Sequence, residues 1–168
     1  RGTDVSLAFN HALIQLNFSA GLTTGFTYAI TNISISGVNN SGTFTYSNSI
    51  GDWTAQDGTA SYAYAGDFNG TITDNVLKLS TGSNALMLMP QTVPAGAEIS
   101  ITYTATANST NQVTFNGTKK VAIGGVEWKK GSNICYKLIL PTGAEAITYS
   151  TVVNPWGEED SQDKTTQP

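Results

Sequence analysis

Along most of the chain, apolar and polar residues alternate with a period of two, and Gly, Asn and Asp repeatedly interrupt the alternation. That period places alternate side chains on opposite faces of a strand. Val5, Leu7 and Phe9 make one such set. Ile14, Leu16 and Phe18 make the next, and Phe26, Tyr28 and Ile30 a third. Ile33 and Ile35 then switch parity, which predicts a bulge or break near residues 31–32, because a one-residue slip flips every side chain. Phe44 and Tyr46 follow the turn NNSG, and Tyr62 with Tyr64 forms a short pair. Val76 and Leu77 begin another strand, with Leu79 beyond them. Ile99, Ile101, Tyr103 and Ala105 alternate cleanly, as do Ile134, Tyr136, Leu138 and Leu140. Val113 with Phe115, Val121 with Ile123 and Ile147 with Tyr149 are shorter sets. No window keeps a helical period. Many short strands with regular turn signals predict an all-β fold, a sandwich or barrel with little or no helix.

One run breaks the alternation. In ALMLMPQ, Ala85 to Met89 are apolar without interruption, and Pro90 and Gln91 end the run. A short apolar run bounded by a breaker predicts a buried strand with both faces covered. Leu86 and Leu88 would share one face, and Met87 and Met89 the other. Pro90 removes a ladder donor and stops the pairing.

Length and composition narrow the picture. The 168 residues suit one domain, over 1–156, with an acidic polar tail over 157–168 that is expected to be disordered. Charged residues are 12%, about half the usual share of roughly 25%. The net charge is −4, much of it in the tail, so there is no basic patch to draw nucleic acid. Cys135 is the single cysteine, which excludes an internal disulfide and mildly favours a bacterial source. No transmembrane run is present, so contact with a membrane is expected only through a lipid anchor outside this chain.

The residues offer little for catalysis. His11 is the single histidine, and a backbone hydrogen bond at a strand break suits it better than a triad. No nucleophile elbow, zinc motif or phosphate loop occurs. Asp67 to Asn75 (DFNGTITDN) resembles a calcium loop only in its alternating oxygens, since Ile72 stands where glycine is needed. Glu158 and Glu159 lie in the tail, where a glycosidase pair could not hold its separation. Asp52 and Asp57 are the nearest acid pair in the body. No catalytic residue, metal or cofactor is expected. Trp53, Tyr62 and Tyr64 are aromatic residues in a polar region and could stack sugars or anchor loops. Trp128 and Trp156 are expected to plug the ends of the fold.

Five stretches, taken in order, resemble the C-terminal part of the fimbrillin family of Bacteroidales surface proteins, the FimA-like and Mfa-like pilins of type V pili. They are VSLAFNHALIQLNF (Val5 to Phe18), ISISGVNNSGTFTY (Ile33 to Tyr46), LMLMPQTV (Leu86 to Val93), WKKGSNICYKLIL (Trp128 to Leu140) and VVNPW (Val152 to Trp156). Complete members carry an N-terminal β-domain before the His-Ala-Leu segment, so the chain is expected to be a C-terminal domain. In the family an arginine-specific protease removes an N-terminal strand, but Arg1 is not the residue that such a cut leaves behind.

The resemblance implies a transthyretin-like antiparallel β-sandwich of the Greek-key type. It also implies a non-enzymatic outer-membrane fimbrium at the cell surface, built as stalk, tip or anchor from lipoprotein precursors. Partners would be other pilus subunits and, in adhesion, a host or bacterial surface protein or glycan. Assembly in the family is by strand exchange, a form of β-augmentation. Ile147, Tyr149, Val152, Val153 and Trp156 are the candidates for a donated or self-closing strand. The alternative is a carbohydrate-binding module of a surface glycan-binding lipoprotein, using Trp53, Tyr62 or Tyr64.

Overall fold

The structure, a computed structural model, describes residues 11–47 and 50–156. The strand expected at Val5 to Phe9, the acids Glu158 and Glu159 and the rest of the tail lie outside the described residues. Among the described residues every regular element is a strand.

Two sheets face each other. The first runs β14 (Thr148–Pro155), β13 (Ser132–Ile139), β1 (Ile14–Gly21), β7 (Val76–Lys78) and β6 (Ile72–Thr73), with β8 (Leu86–Leu88) also on β1. The second runs β11 (Gln112–Ala122), β10 (Glu98–Ala107), β2 (Phe26–Val38) and β5 (Ala60–Ala63). Their inner faces supply one core: Ile14, Leu16 and Phe18 from β1 and Ile134, Tyr136 and Leu138 from β13 meet Ile33, Ile35, Ile99, Ile101 and Tyr103. The fold is thus the all-β sandwich that the alternation predicts. Among the described residues the ladders are antiparallel except one: β1 pairs with β13 in parallel, from Gln15 with Asn133 to Gly21 with Ile139. A parallel pair needs a long crossover, and here residues 22–131 supply it.

The parity switch in β2 is a bulge. Asn32 pairs with Thr102 and Ile30 with Tyr103, so Thr31 is the extra residue. The slip returns Ile33 and Ile35 to the core side. Two short hairpins complete the domain. β6 and β7 are joined by Asp74 and Asn75, both at positive φ, the two-residue turn that a right-handed strand twist favours. The loop before them is an Asx turn, with the Asp67 carboxylate accepting the Asn69 N–H at 3.1 Å. β3 (Ser41–Ser47) and β4 (Ile50–Asp57) form a separate two-stranded sheet.

ALMLMPQ is only partly the two-faced strand expected of it. Leu86 and Leu88 pair with Leu16 and Ile14 on the core side, and Leu88 is buried. Met87 pairs with Gln15, so it faces away from the core, and it is 49% exposed. The expectation of burial on both faces therefore fails at Met87. Met89 is buried, but past the end of the strand: a Cβ on Gly42 of β3 would lie 3.3 Å from its sulfur. The polar stop has a structural reason. Gln91 is buried, and its amide does the work of a strand: Oε1 accepts from Asn39 N at 2.9 Å and Nε2 donates to Asn39 O at 3.2 Å. Gln91 and Thr92 (β9) also pair with Glu127 and Trp128 (β12).

Gln91→Leu keeps the volume but orphans the half-buried Asn39 backbone, a loss of about 1–3 kcal/mol in all. Urea denaturation should show a lower midpoint at an unchanged slope. Leu88→Asp buries an unpaired charge and should abolish cooperative unfolding, whereas Met87→Ser should stay within about 0.5 kcal/mol of the parent.

Candidate functional site

The five outer strands of the two main sheets, among them the three-residue β8, differ in how well they resist pairing with another chain. An edge strand presents a free row of backbone donors and acceptors, and proteins guard it with shortness, charge or bulges. β6 has two residues and β5 four. β11 is long but guarded. Its register shifts between Ala105 and Thr106 of β10. Lys119 pairs with core residue Ile101 and so sits on the inner face of β11, over the Phe115 ring at 4.5 Å. Lys120 adds an ion pair with Glu98.

β14 has none of these guards, and its one edge-blocking residue, Pro155, stands at its last position. Its eight residues, TYSTVVNP, carry no charge and include four β-branched side chains, and they pair with β13 from Ser132–Pro155 to Ile139–Thr148 without a shift. Residues directly opposite in a ladder share a face. Tyr149, Thr151 and Val153 oppose Leu138, Tyr136 and Ile134, so they stand on the core side of the sheet. Thr151 is nonetheless exposed and Val153 is 59% exposed. The strand overhangs the opposing sheet, with an apolar side chain on its inner face left in solvent. Val152 on the other face is half-buried.

Both ends of β14 are held. Before it, the segment after β13 is tied to the second sheet: Tyr28 and Tyr103 donate their hydroxyls to the Leu140 and Pro141 carbonyls at 3.1 and 2.7 Å. Lys119 Nζ donates to the Glu145 carbonyl at 2.6 Å, and Ile147 is buried. After it, Trp156 N donates to Gly131 O at 2.8 Å. Here β14 is folded onto its own domain, the self-closing form of the strand.

Beneath β14 the core is aromatic. Tyr136 lies 5.3 Å from the Tyr149 ring, and its hydroxyl accepts from Trp128 Nε1 at 3.0 Å. Burial pushes the Tyr136 phenol up to about 12; the Trp128 hydrogen bond opposes the shift and Tyr149 adds to it. Burial raises Tyr103 as well, with Tyr28 and Glu145 adding to the rise.

The three aromatics singled out for sugar stacking do not form a surface. Tyr64 is 2% exposed, so the expectation that it lies on the surface is wrong. Its ring meets Phe18 at 4.8 Å and its hydroxyl lies within 3.4 Å of Asn17 Oδ1 and Asn84 Oδ1. Tyr62 packs half-buried on the core. Trp53 is half-buried on β4, with Nε1 donating to Ala12 O at 2.7 Å. The open rings are Phe44 and Tyr46 on β3, 40% and 71% exposed. Phe44 is tilted 54° from Trp53, so they are not a flat platform. Their spacing reads like a half-buried strand, and only the separate pairing of β3 with β4 makes them exposed. Asp52 and Asp57 are exposed on β4. Among the described residues no group of three or more His, Cys, Asp or Glu could hold a metal ion.

Comparison with known proteins bears on the whole domain. The family model described as Fimbrillin-like matches residues 1–156. The chain belongs to the fimbrillin-like family. Two solved structures resemble the fimbrillin-like chain. One is a fimbrial protein from Bacteroides vulgatus, with TM-score 0.61, 17% identity, and coverage of 88% of this chain and 55% of that one. The other is a candidate cell adhesion protein from Bacteroides uniformis, with TM-score 0.51, 17% identity, and coverage of 90% and 53%. At such identities the likeness is one of fold. The fimbrillin-like chain spans about half the length of these two. No curated protein matches it.

The raised phenols fix the sign of the alkaline response. Between the ordinary tyrosine value near 10 and about 12, the unfolded chain loses the Tyr136 proton while the native state keeps it. Stability therefore falls as pH rises through that window, by up to about 1.4 kcal/mol per pH unit for this group. Tyr136→Phe should make the fall shallower in urea titrations across the window, leaving the part that Tyr103 contributes.

Proposed function

We propose that this fimbrillin-like domain is the C-terminal part of a surface fimbrium subunit, assembling with other subunits by strand exchange through β14. The observation that carries the reading is the state of that strand: long, uncharged, unbulged and, among the described residues, paired on one side only, with Val153 on its inner face left in solvent. In a partner's sheet the same strand would find main-chain donors for its free edge and a pocket for Val153. Membership of the fimbrillin-like family and the fold shared with a fimbrial protein support the reading. The likeness to a candidate cell adhesion protein supports an adhesive role at the cell surface, with attachment to the outer membrane through a lipid anchor outside this chain. The role is structural, and the catalytic inventory is empty on this reading.

The exposure of Val153 gives a selective test. Val153→Lys should leave the melting temperature of the monomer unchanged, because the side chain is already in solvent. It should abolish heat-labile polymer ladders of the full-length precursor on gels, because a donated strand would carry the lysine into a partner's core. Ladders that persist in the variant would sink exchange through β14. A parent that stays monomeric and binds tightly on a glycan array would instead favour the carbohydrate-binding module.

A further inference from the structure

The segment His11-Ala12-Leu13 is not part of any strand, yet each residue ties down a different element. The His11 imidazole stacks on the Trp156 indole, with centroids 4.0 Å apart and planes 8° from parallel. The Ala12 carbonyl accepts from Trp53 Nε1 of the β3–β4 hairpin at 2.7 Å. The Leu13 carbonyl accepts from Gly131 N at 3.1 Å, and the Gly131 carbonyl in turn accepts from Trp156 N at 2.8 Å. Gly131 makes this double duty possible: its φ of +73° turns the chain so that its N–H and C=O serve two different segments. The residues just before β1 and the residue just after β14 therefore close on one turn.

We propose that His11-Ala12-Leu13 is a latch that holds the free end of β14 on its own domain and so governs how readily that strand is released to a second copy. Three observations lead to it. Among the described residues β14 pairs only with β13, so apart from that ladder and the packing of Tyr149 on Tyr136 its hold comes from its two ends. The leading end is tied by groups of the second sheet, Tyr28, Tyr103 and Lys119, that belong to the core and its rim. Among the described residues the trailing end is tied by an exposed imidazole and one backbone bond, contacts that can open without disturbing the core. Peeling thus starts at Trp156. Displacement of the segment around His11 lowers its barrier, and the Ala12 bond to Trp53 links the same movement to the hairpin. The purpose given to the latch rests on the strand-exchange reading; its geometry does not.

The test is hydrogen–deuterium exchange on the full chain in three forms: parent, His11→Ala and His11→Phe. The opening equilibrium of each strand sets its amide rates. Loss of one aromatic stack should speed the β14 amides roughly two- to tenfold in His11→Ala, with the β10 amides unchanged, and His11→Phe should restore the parent rates. Equal β14 rates in parent and His11→Ala overturn the latch. So does equal acceleration of β14 and β10, which would mean general destabilisation, and so does a failure of His11→Phe to restore the hold. A labelled peptide with the sequence Thr148 to Trp156 then separates the two ideas. Faster β14 exchange with peptide capture upholds both. Faster exchange without capture upholds the latch and removes strand exchange.

Discussion

The central strand, β1, has to satisfy its backbone on both edges while buried on both faces, and the rest of the domain is arranged around that requirement. One edge is met continuously by β13. The other is met in two pieces, β8 against Ile14 to Leu16 and β7 against Ser19 to Gly21, leaving a gap at Asn17 and Phe18. Polar side chains cluster around this point: Asn17 donates across the other edge to Asn133 at 3.1 Å, the Tyr64 hydroxyl lies within 3.4 Å of Asn17 and Asn84, and Asn84 donates to the carbonyls of Ala65 and Leu79 and accepts from Thr81 N. A buried amide left half-satisfied costs more than an apolar replacement, so a network of this kind specifies one arrangement of the loop from 79 to 85.

The same economy explains the second polar knot. Gln91 joins the end of β2 to the end of the β8 region with two side-chain hydrogen bonds, where Pro90 has made an ordinary ladder impossible. The β3–β4 hairpin sits beside this knot and is tethered by Gln56 to Pro90 O at 2.6 Å, by Trp53 to Ala12, and by Lys130 to Gly51. Gly51 has no side chain because the Phe44 ring fills that space. Polar side chains at the ends of elements, rather than extra apolar surface, decide how the peripheral pieces attach.

The core strands were legible because burial on one face imposes strict alternation, as in Ile99 to Ala105, and because a bulge leaves a parity switch, as at Thr31. The sandwich followed from that pattern. The parallel pairing of β1 with β13 was not legible, since both strands alternate in the same way whichever direction they run. β4 escaped because IGDWTAQD lies outside the core and carries no period. Met87 misled because an unbroken apolar run measures composition, and whether a cover exists on the second face is decided by other segments. Of the candidate residues, those of β14 were readable as a last strand. Their significance was not, because it lies in what β11, β5 and β6 have and β14 lacks. His11 and Trp156 stood at opposite ends of the sequence with nothing to link them.

The parallel pair also bears on timing. Asn17 and Asn133, which bond to each other in the middle of the first sheet, are 116 residues apart in the chain. Non-local pairing of this kind slows folding, because loop closure must precede any reward. A chain emerging from its N-terminal end exposes β1 long before β13 exists to cover it, so the centre of the sandwich stays open until nearly all of the domain has appeared. A domain built this way resists premature closure, and its central strand stays extended and uncovered until the last sixth of the domain is made.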